Sequence, residues 1–539
     1  MLFVFGFLYL AFSGVRPLAN PDEGRYVEIP REMVVTGDWV SPRLNGVLYF
    51  EKPPLFYWMQ AVALKVGGIN EVSGRFMPAL LGLIGILATY ITGRRLYDRR
   101  TGLFAAAILG SSLIYFALSQ IITLDIAVSV FTGCSLFSFL IGLKYPLSTQ
   151  RRLWFVAFYI FMGLAVLSKG LIGWVFPALI IFLWTILLGK WKDLARYYMG
   201  MGLLIFLAVT VPWHVMAARE NPEFLWFYFV HEHFLRYLSS THSRVQPFWF
   251  FFAFLPLGLL PWTSFLPQSV ASIFRGGWQA AKERSTELLC LVWILFILFF
   301  FSLSKSKLIP YILSAYFPLA LIMGRYMAQA WDGANTVGLK WGLRAYTWLI
   351  LGLATAFPFV LEHKSEDVTF EAIPWLALLL GALILSAVLI HFFTRLGKLR
   401  HGLVVLMGAA ACILALFNPV AGCFKRPSTR EMAYALKPKL QEQDRVFHAY
   451  DYFHDFTTYL ERTTSLANHS PDEHGFGLEL EDHSARYLEG QAFRDFWQSS
   501  QRAYALVEWQ KFDNFKNDVG ADYCHVVLTD FNFIIVSNQ

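Results

Sequence analysis

The sequence predicts a polytopic α-helical membrane protein of about thirteen transmembrane helices with a small α/β domain at its C-terminal end. Three observations predict it. Hydrophobic residues make up 56% of the chain and charged residues only 15%, against about 45–50% and about 25% in soluble domains. The excess lies in long apolar runs that end near Pro419, beyond which the chain reads as soluble protein. The loops between the runs alternate in charge, as membrane topology requires.

The first element, residues 2–13 (LFVFGFLYLAFS), is apolar but shorter than the roughly 17–25 residues a span needs. No basic residue precedes it and no small-residue cleavage site follows, so a signal peptide is disfavoured. It is read as a first span that is truncated. Apolar segments of spanning length follow near 76–93, 102–119, 126–143, 153–168, 171–189 and 198–216. Further ones lie near 248–271, 287–303, 309–329, 341–361, 373–393 and 402–420.

One set of loops is short and basic: Arg94 to Arg100, Lys144 to Arg152, Lys190 to Arg196 and Arg275 to Arg284, then Lys340 with Arg344, and Arg395 to Arg400. The positive-inside rule places these in the cytoplasm. The other set comprises 16–75, 120–125, 168–170, 217–246, 304–310 and 362–372. In loop 16–75 seven Lys/Arg balance seven Asp/Glu, so its charges serve something other than topology. With an odd number of spans, the tail lies outside, in the periplasm of a Gram-negative cell. The expected division is a membrane domain, 1–420, carrying the first periplasmic loop 16–75, and a periplasmic domain, 421–539. Strand-like runs at 445–450, 503–508 and 525–536 alternate with helix-like stretches at 455–460 and 484–500. The net charge of +7 comes without a long basic run, so it marks topology and not a nucleic-acid partner. Cys134, Cys290 and Cys412 fall in apolar runs; Cys423 and Cys524 would be free to pair in an oxidising compartment. No Rossmann or P-loop glycine pattern occurs, so a nucleotide has no evident site.

The stretch richest in chemistry is Pro21-Asp22-Glu23-Gly24-Arg25-Tyr26, at the outer boundary of the first apolar segment. Two carboxylates beside an arginine can bind metal, orient an amine or act as a base. The bland alternative is a solvated helix start, with Asp22 and Glu23 set against the dipole. Glu51-Lys52-Pro53-Pro54 places a carboxylate and an ammonium back to back before two stiffening prolines; an ordinary charged turn would look the same. In Tyr228 to Leu238, His231 and His233 offer metal-ligand chemistry and Arg236 a phosphate clamp. His454 or His448 of the tail could add a ligand. Lys305, Lys307 and Tyr311 gather at the outer end of a span, where snorkelling is the alternative. His214, inside an apolar run, reads as a satisfied core histidine.

Residues 20–58, NPDEGRYVEIPREMVVTGDWVSPRLNGVLYFEKPPLFYW, resemble the first periplasmic loop of bacterial ArnT-type transferases. These are the aminoarabinose transferases of lipid A, within the GT-C-type, protein-mannosyltransferase-like enzymes that use polyprenyl-phosphate sugars. The resemblance continues through Thr123-Leu124-Asp125, Leu167-Ser168-Lys169-Gly170 and Ser304 to Tyr311, and more loosely through Tyr450 to Arg462. It implies two amphipathic helices in the first loop and a sugar, 4-amino-4-deoxy-L-arabinose, carried on undecaprenyl phosphate. It implies catalytic roles for Asp22, with Arg25 beside it, and for Asp125. Lys52, Arg236, Tyr311, Lys305 and Lys307 would contact phosphate or donor. Glu51 would hold a divalent metal, zinc or another, with a histidine of the loop before residue 247, read here as His231; His454 is the tail histidine chosen as a third ligand.

A lipid A phosphate is already ionised at neutral pH and needs no general base, whereas a protein or glycan hydroxyl would require Asp22 as one. The rival classes are a related transferase for another sugar, a transporter of lipid-linked sugars, and an inactive scaffold. Transporters concentrate polar residues at the bilayer midplane; here they gather at the outer ends of the spans.

Overall fold

The computed structural model describes residues 2–235, 245–363, 370–424, 427–470 and 473–539. The chain forms two compact units, one of Met1–Val15 with Arg75–Lys425, the other of Arg16–Gly74 with Arg426–Gln539. The first loop therefore groups with the tail, a partition that hydropathy alone does not suggest.

The first unit is helical. Among the described residues, seven helices are long and apolar enough to cross a membrane, or nine if two bent pairs each count as one span. The thirteen expected from hydropathy are not reached on this criterion: Leu2–Leu10, Ile172–Leu188 and Tyr316–Trp331 have 9, 17 and 16 residues and are too short to count, and two further runs are bent. The 102–119 run is broken into Arg99–Ser111 and Leu113–Ser119, bent by 64°, and the 248–271 run into Phe250–Gly258 and Trp262–Ile273, bent by 105°. Apolar composition is blind to such bends. The breaks meet, since the Leu113 N–H donates to the Leu260 carbonyl at 3.1 Å. The N-terminal segment is helical over Leu2–Leu10.

Helix Leu124–Lys144 is apolar all round, and 94% of its central window is enclosed by protein, against 22% for Ala372–Arg395. A helix hydrophobic on every face belongs inside the bundle. Its position matters, because Asp125 stands in its first turn. At the basic ends the connections are capped: the Asp98 carboxylate accepts from the backbone N–H groups of Arg100 and Thr101, satisfying donors the helix leaves free. Arg325, paired with Glu287, lies 4.3 Å over the Tyr97 ring.

The second unit contains helices Asp22–Thr36 and Leu55–Gly67 with a two-stranded ribbon between them, β1 (Arg43–Leu44) and β2 (Val47–Leu48). The first helix ends at Gly37, whose φ of +74° suits the left-handed cap. The tail supplies β3 (Arg445–Ala449), β4 (Ser465–Ala467), β5 (Tyr487–Leu488), β6 (Ala503–Glu508), β7 (His525–Thr529) and β8 (Phe533–Ser537). They form one sheet in the order β5-β4-β3-β6-β8-β7, with β8 antiparallel to both its neighbours and the rest parallel. The expected single run at 525–536 is thus a hairpin, turning where the Asp530 side chain accepts from the Asn532 and Phe533 N–H groups. Phe447, Phe493, Trp497, Phe515, Ile534 and Val536 fill the core beneath the sheet.

Loop and tail of this unit are joined by hydrogen bonds that cross most of the sequence. The Thr464 N–H donates to the Asn45 side chain at 2.8 Å, and the Leu18 N–H to the Tyr459 hydroxyl at 2.8 Å. Arg43 forks onto Glu481 at 2.7 and 2.8 Å. Gly24 lies so close to the tail helix His454–Leu460 that a Cβ there would fall 2.5 Å from the Asp455 nitrogen. Cys423 and Cys524, which the sequence left open as a pair, are both free thiols. Cys423 instead donates to the Pro419 carbonyl at 3.2 Å, an option its helical position provides.

Candidate functional site

The sequence-predicted residues fall into two constellations, one in each unit. In the second unit the Asp-Glu-Gly-Arg-Tyr motif opens helix Asp22–Thr36, and its two acids have different roles. Glu23 is fully buried and its carboxylate accepts from the Ala19 N–H at 3.0 Å, satisfying a donor at the helix start. Asp22 is 55% exposed, with Arg25 at 3.4 Å. The helix-start explanation therefore accounts for Glu23 and leaves Asp22 available for chemistry. Arg25 also pairs with Glu473 at 2.7 Å, and Glu473 in turn with His454 Nε2. Burial opposes ionisation of Glu473, but His454 and then Arg25 outweigh it and hold its carboxyl down at about 2. Lys52 folds back on its neighbour: its ammonium donates to the Glu51 carbonyl at 2.7 Å and stands 3.8 Å from the Glu51 carboxylate.

In the first unit three helix ends converge. Asp125 at the start of Leu124–Lys144 receives a hydrogen bond from Lys169, the last residue of Thr149–Lys169. The Lys169 ammonium lies 5.1 Å over the ring of Tyr311, which sits in the turn Ile309–Ala315. Tyr311 also packs at 5.0 Å against Phe301. Lys305 is exposed, but Lys307 is buried, donating to the Ser304 carbonyl. Burial alone pulls the Lys307 pKa below its usual value, and a buried ammonium satisfied by a carbonyl is a cation suited to an incoming anion.

His231 is in a π-helical stretch, Trp226–Leu235, half exposed, stacked 5.1 Å from Phe227 and 3.5 Å from Glu232. Arg236 lies outside the described residues, as does the His233 side chain. His214 is held by the Thr210 carbonyl at 2.8 Å among Trp213, Phe224 and Phe229, the core environment expected of it. Among the described residues no three His, Cys, Asp or Glu side chains come together as a metal centre. Nε2 of His454 is taken by Glu473, and His448 is buried with Nδ1 accepting from the Phe453 N–H.

Two residues escaped sequence reasoning. Lys169 had a signal, the Leu-Ser-Lys-Gly stretch, but no role could be read from it. Glu473 had none, because its partners Arg25 and His454 are fixed only by the fold.

Two family profiles match the chain: dolichyl-phosphate-mannose-protein mannosyltransferase over residues 1–229, and the aminoarabinose transferase C-terminal domain over residues 432–538. The fold matches the crystal structure of ArnT from Cupriavidus metallidurans bound to undecaprenyl phosphate with a TM-score of 0.87 at 27% identity, covering 99% of this chain and 97% of that one. The apo form of that protein matches at 0.84 and 26% identity. Fold and constellations together define a GT-C-type polytopic membrane protein with a C-terminal α/β domain.

Named relatives narrow the class. The undecaprenyl phosphate-alpha-4-amino-4-deoxy-L-arabinose arabinosyl transferase 2 of Pseudomonas fluorescens is 32% identical over 361 residues, 67% of this chain and 64% of that protein. Its counterpart in Pseudomonas aeruginosa is 32% identical over 63% of this chain and 61% of its own length. The matched region thus spans somewhat less than two thirds of these relatives. The chain belongs to the ArnT family.

Proposed function

We propose that this chain is a glycosyltransferase that moves 4-amino-4-deoxy-L-arabinose from an undecaprenyl-phosphate carrier to a lipid A phosphate. It acts at the periplasmic face of the bacterial inner membrane, where the C-terminal domain also lies. The observation that carries the reading is the end-to-end similarity to a protein solved with undecaprenyl phosphate. The absence of a nucleotide-binding motif in the sequence agrees with a lipid-borne donor.

In the reaction an oxygen of the lipid A phosphate attacks the anomeric carbon while the bond from that carbon to the carrier-phosphate oxygen breaks. The carrier leaves as a phosphate monoester with one additional negative charge, and no proton need be removed from the nucleophile. The protein's work is to hold two anionic lipids and to stabilise the departing phosphate. Lys52, Arg236, Tyr311, Lys305 and Lys307 are assigned to the phosphate. Asp22 and Arg25 are assigned to the sugar and acceptor, and Asp125 acts with its lysine partner.

A second reading is favoured by the mannosyltransferase profile over residues 1–229: transfer to a protein or glycan hydroxyl, with Asp22 as general base. The two are separated by reconstituting the full chain with lipid A and the lipid-linked sugar and identifying products by mass spectrometry. A lipid A adduct that disappears in Asp22→Asn supports the proposal. Movement of carrier lipid without a covalent product refutes it in favour of transport.

A further inference from the structure

We infer that Lys169 is a charge-transferring residue, which Asp125 holds in reserve and which passes to the carrier phosphate as the glycosidic bond breaks; the inference rests on the carrier assigned under the proposed function. Three features support it. The Lys169 ammonium has Asp125 as its anionic partner, and the pair is neither fully buried nor free, at 17% and 16% exposed. An ion pair at such a boundary is weak enough to exchange partners, whereas a fully buried one would be locked by the cost of leaving a charge alone. Both members stand at helix ends, so a small change of the lysine rotamer moves the ammonium without moving a helix. Tyr311 offers its ring face 5.1 Å away, a second, uncharged site for the ammonium as it leaves the carboxylate.

The donor is a phosphodiester with one negative charge, and the departing carrier is a monoester approaching two. Asp125 competes well for Lys169 against the first and poorly against the second. The contact is therefore stronger in the transition state than in the bound donor, the condition for raising kcat and not only affinity.

The test uses the full chain in nanodiscs and undecaprenyl phosphate as the probe, with binding measured by competition against the radiolabelled lipid. If the carboxylate and the phosphate compete for one ammonium, D125N tightens binding about tenfold and K169M weakens it about tenfold. The double variant D125N/K169M binds as K169M does, because the carboxylate acts through the lysine. It also leaves neither charge unpaired, so it carries the comparison if K169M alone folds poorly. K169R keeps the cation and stays within about threefold of wild type. In donor kinetics K169M lowers kcat by a larger factor than it raises KM. The inference is overturned if D125N binds no tighter than wild type, or if its tightening persists undiminished in the K169M background. A wild-type chain that binds no undecaprenyl phosphate overturns the carrier assignment and this inference with it.

Discussion

Substituting Glu32 by glutamine should make the second unit more stable, and increasingly so as the pH rises. Glu32 is 4% exposed and lies one turn from the fully buried Glu28 on helix Asp22–Thr36. Arg31, beside both acids, is committed to one: it forks onto Glu28 at 2.6 and 2.7 Å. Glu32 accepts the Gly46 N–H at 2.8 Å and shares a hydrogen bond with Glu28. Burial first, and then the Glu28 charge, push its pKa up to about 8. The proton is thus held more tightly in the folded state. The stability this confers is complete below the unfolded value near 4.5 and is lost as the pH climbs through 8. At 1.36 kcal/mol per unit, about 3 kcal/mol is lost between pH 5.5 and 8.5. Glutamine keeps the acceptor for Gly46, offers Glu28 a donor and cannot ionise. Amide hydrogen exchange of the 22–48 segment, corrected for intrinsic rates, should show wild-type protection falling across that interval and E32Q protection flat. Equal slopes in the two proteins would refute the reasoning, as would an E32Q segment less protected than wild type at pH 8.5.

Gly24→Ala drives a methyl group into the backbone of Asp455 and His454; a loss of about 2–4 kcal/mol is expected, read as a lower melting temperature of the purified chain. Asn45→Ala removes the acceptor of the buried Thr464 N–H and should cost about 1–3 kcal/mol, whereas Arg43→Ala at the half-exposed pair with Glu481 should cost under about 1 kcal/mol in the same melt. Asp444 has the opposite pH dependence to Glu32: against the opposing effect of burial, Arg502 and the Gln441 N–H hold its pKa below the ordinary value. Its contribution is present above that ordinary value and lost as the pH falls through the depressed one, so Asp444→Asn should flatten the acid side of the stability profile. Asp22→Asn should reduce transfer at least about a hundredfold with the melting temperature unchanged, and wild-type rate should show no single-base titration near neutrality if the acceptor is a phosphate.

Much of this was legible because charge and hydropathy act locally. The alternation of basic loops, the apolar spans, the mixed tail and the Asp-Glu-Gly-Arg-Tyr and Glu-Lys-Pro-Pro motifs all follow from neighbouring residues. The purpose of Gly24 was not legible, since the backbone it makes room for lies in His454 and Asp455. The separation of Glu23 from Asp22 also required the fold, because either acid could have served the helix start. Hydropathy merged bent helices into straight spans and fused β7 with β8, as it reads composition and not direction. The Lys169–Asp125 pair joins the end of one helix to the start of another, a relation no periodicity encodes.

The hydrogen bonds between residues 16–74 and the tail also impose a parity on the membrane topology. Segments that share a folded unit must lie on one side of the bilayer, so the chain between them crosses an even number of times. The seven single helices make an odd count, and so do the nine obtained with the bent pairs. Among the described residues, then, either one of the bent pairs dips in and returns to its own side, or a helix outside that count completes the crossing. Ile172–Leu188, of 17 residues, is short but apolar enough to do so. Eight, ten or twelve crossings are compatible with the way the loop meets the tail.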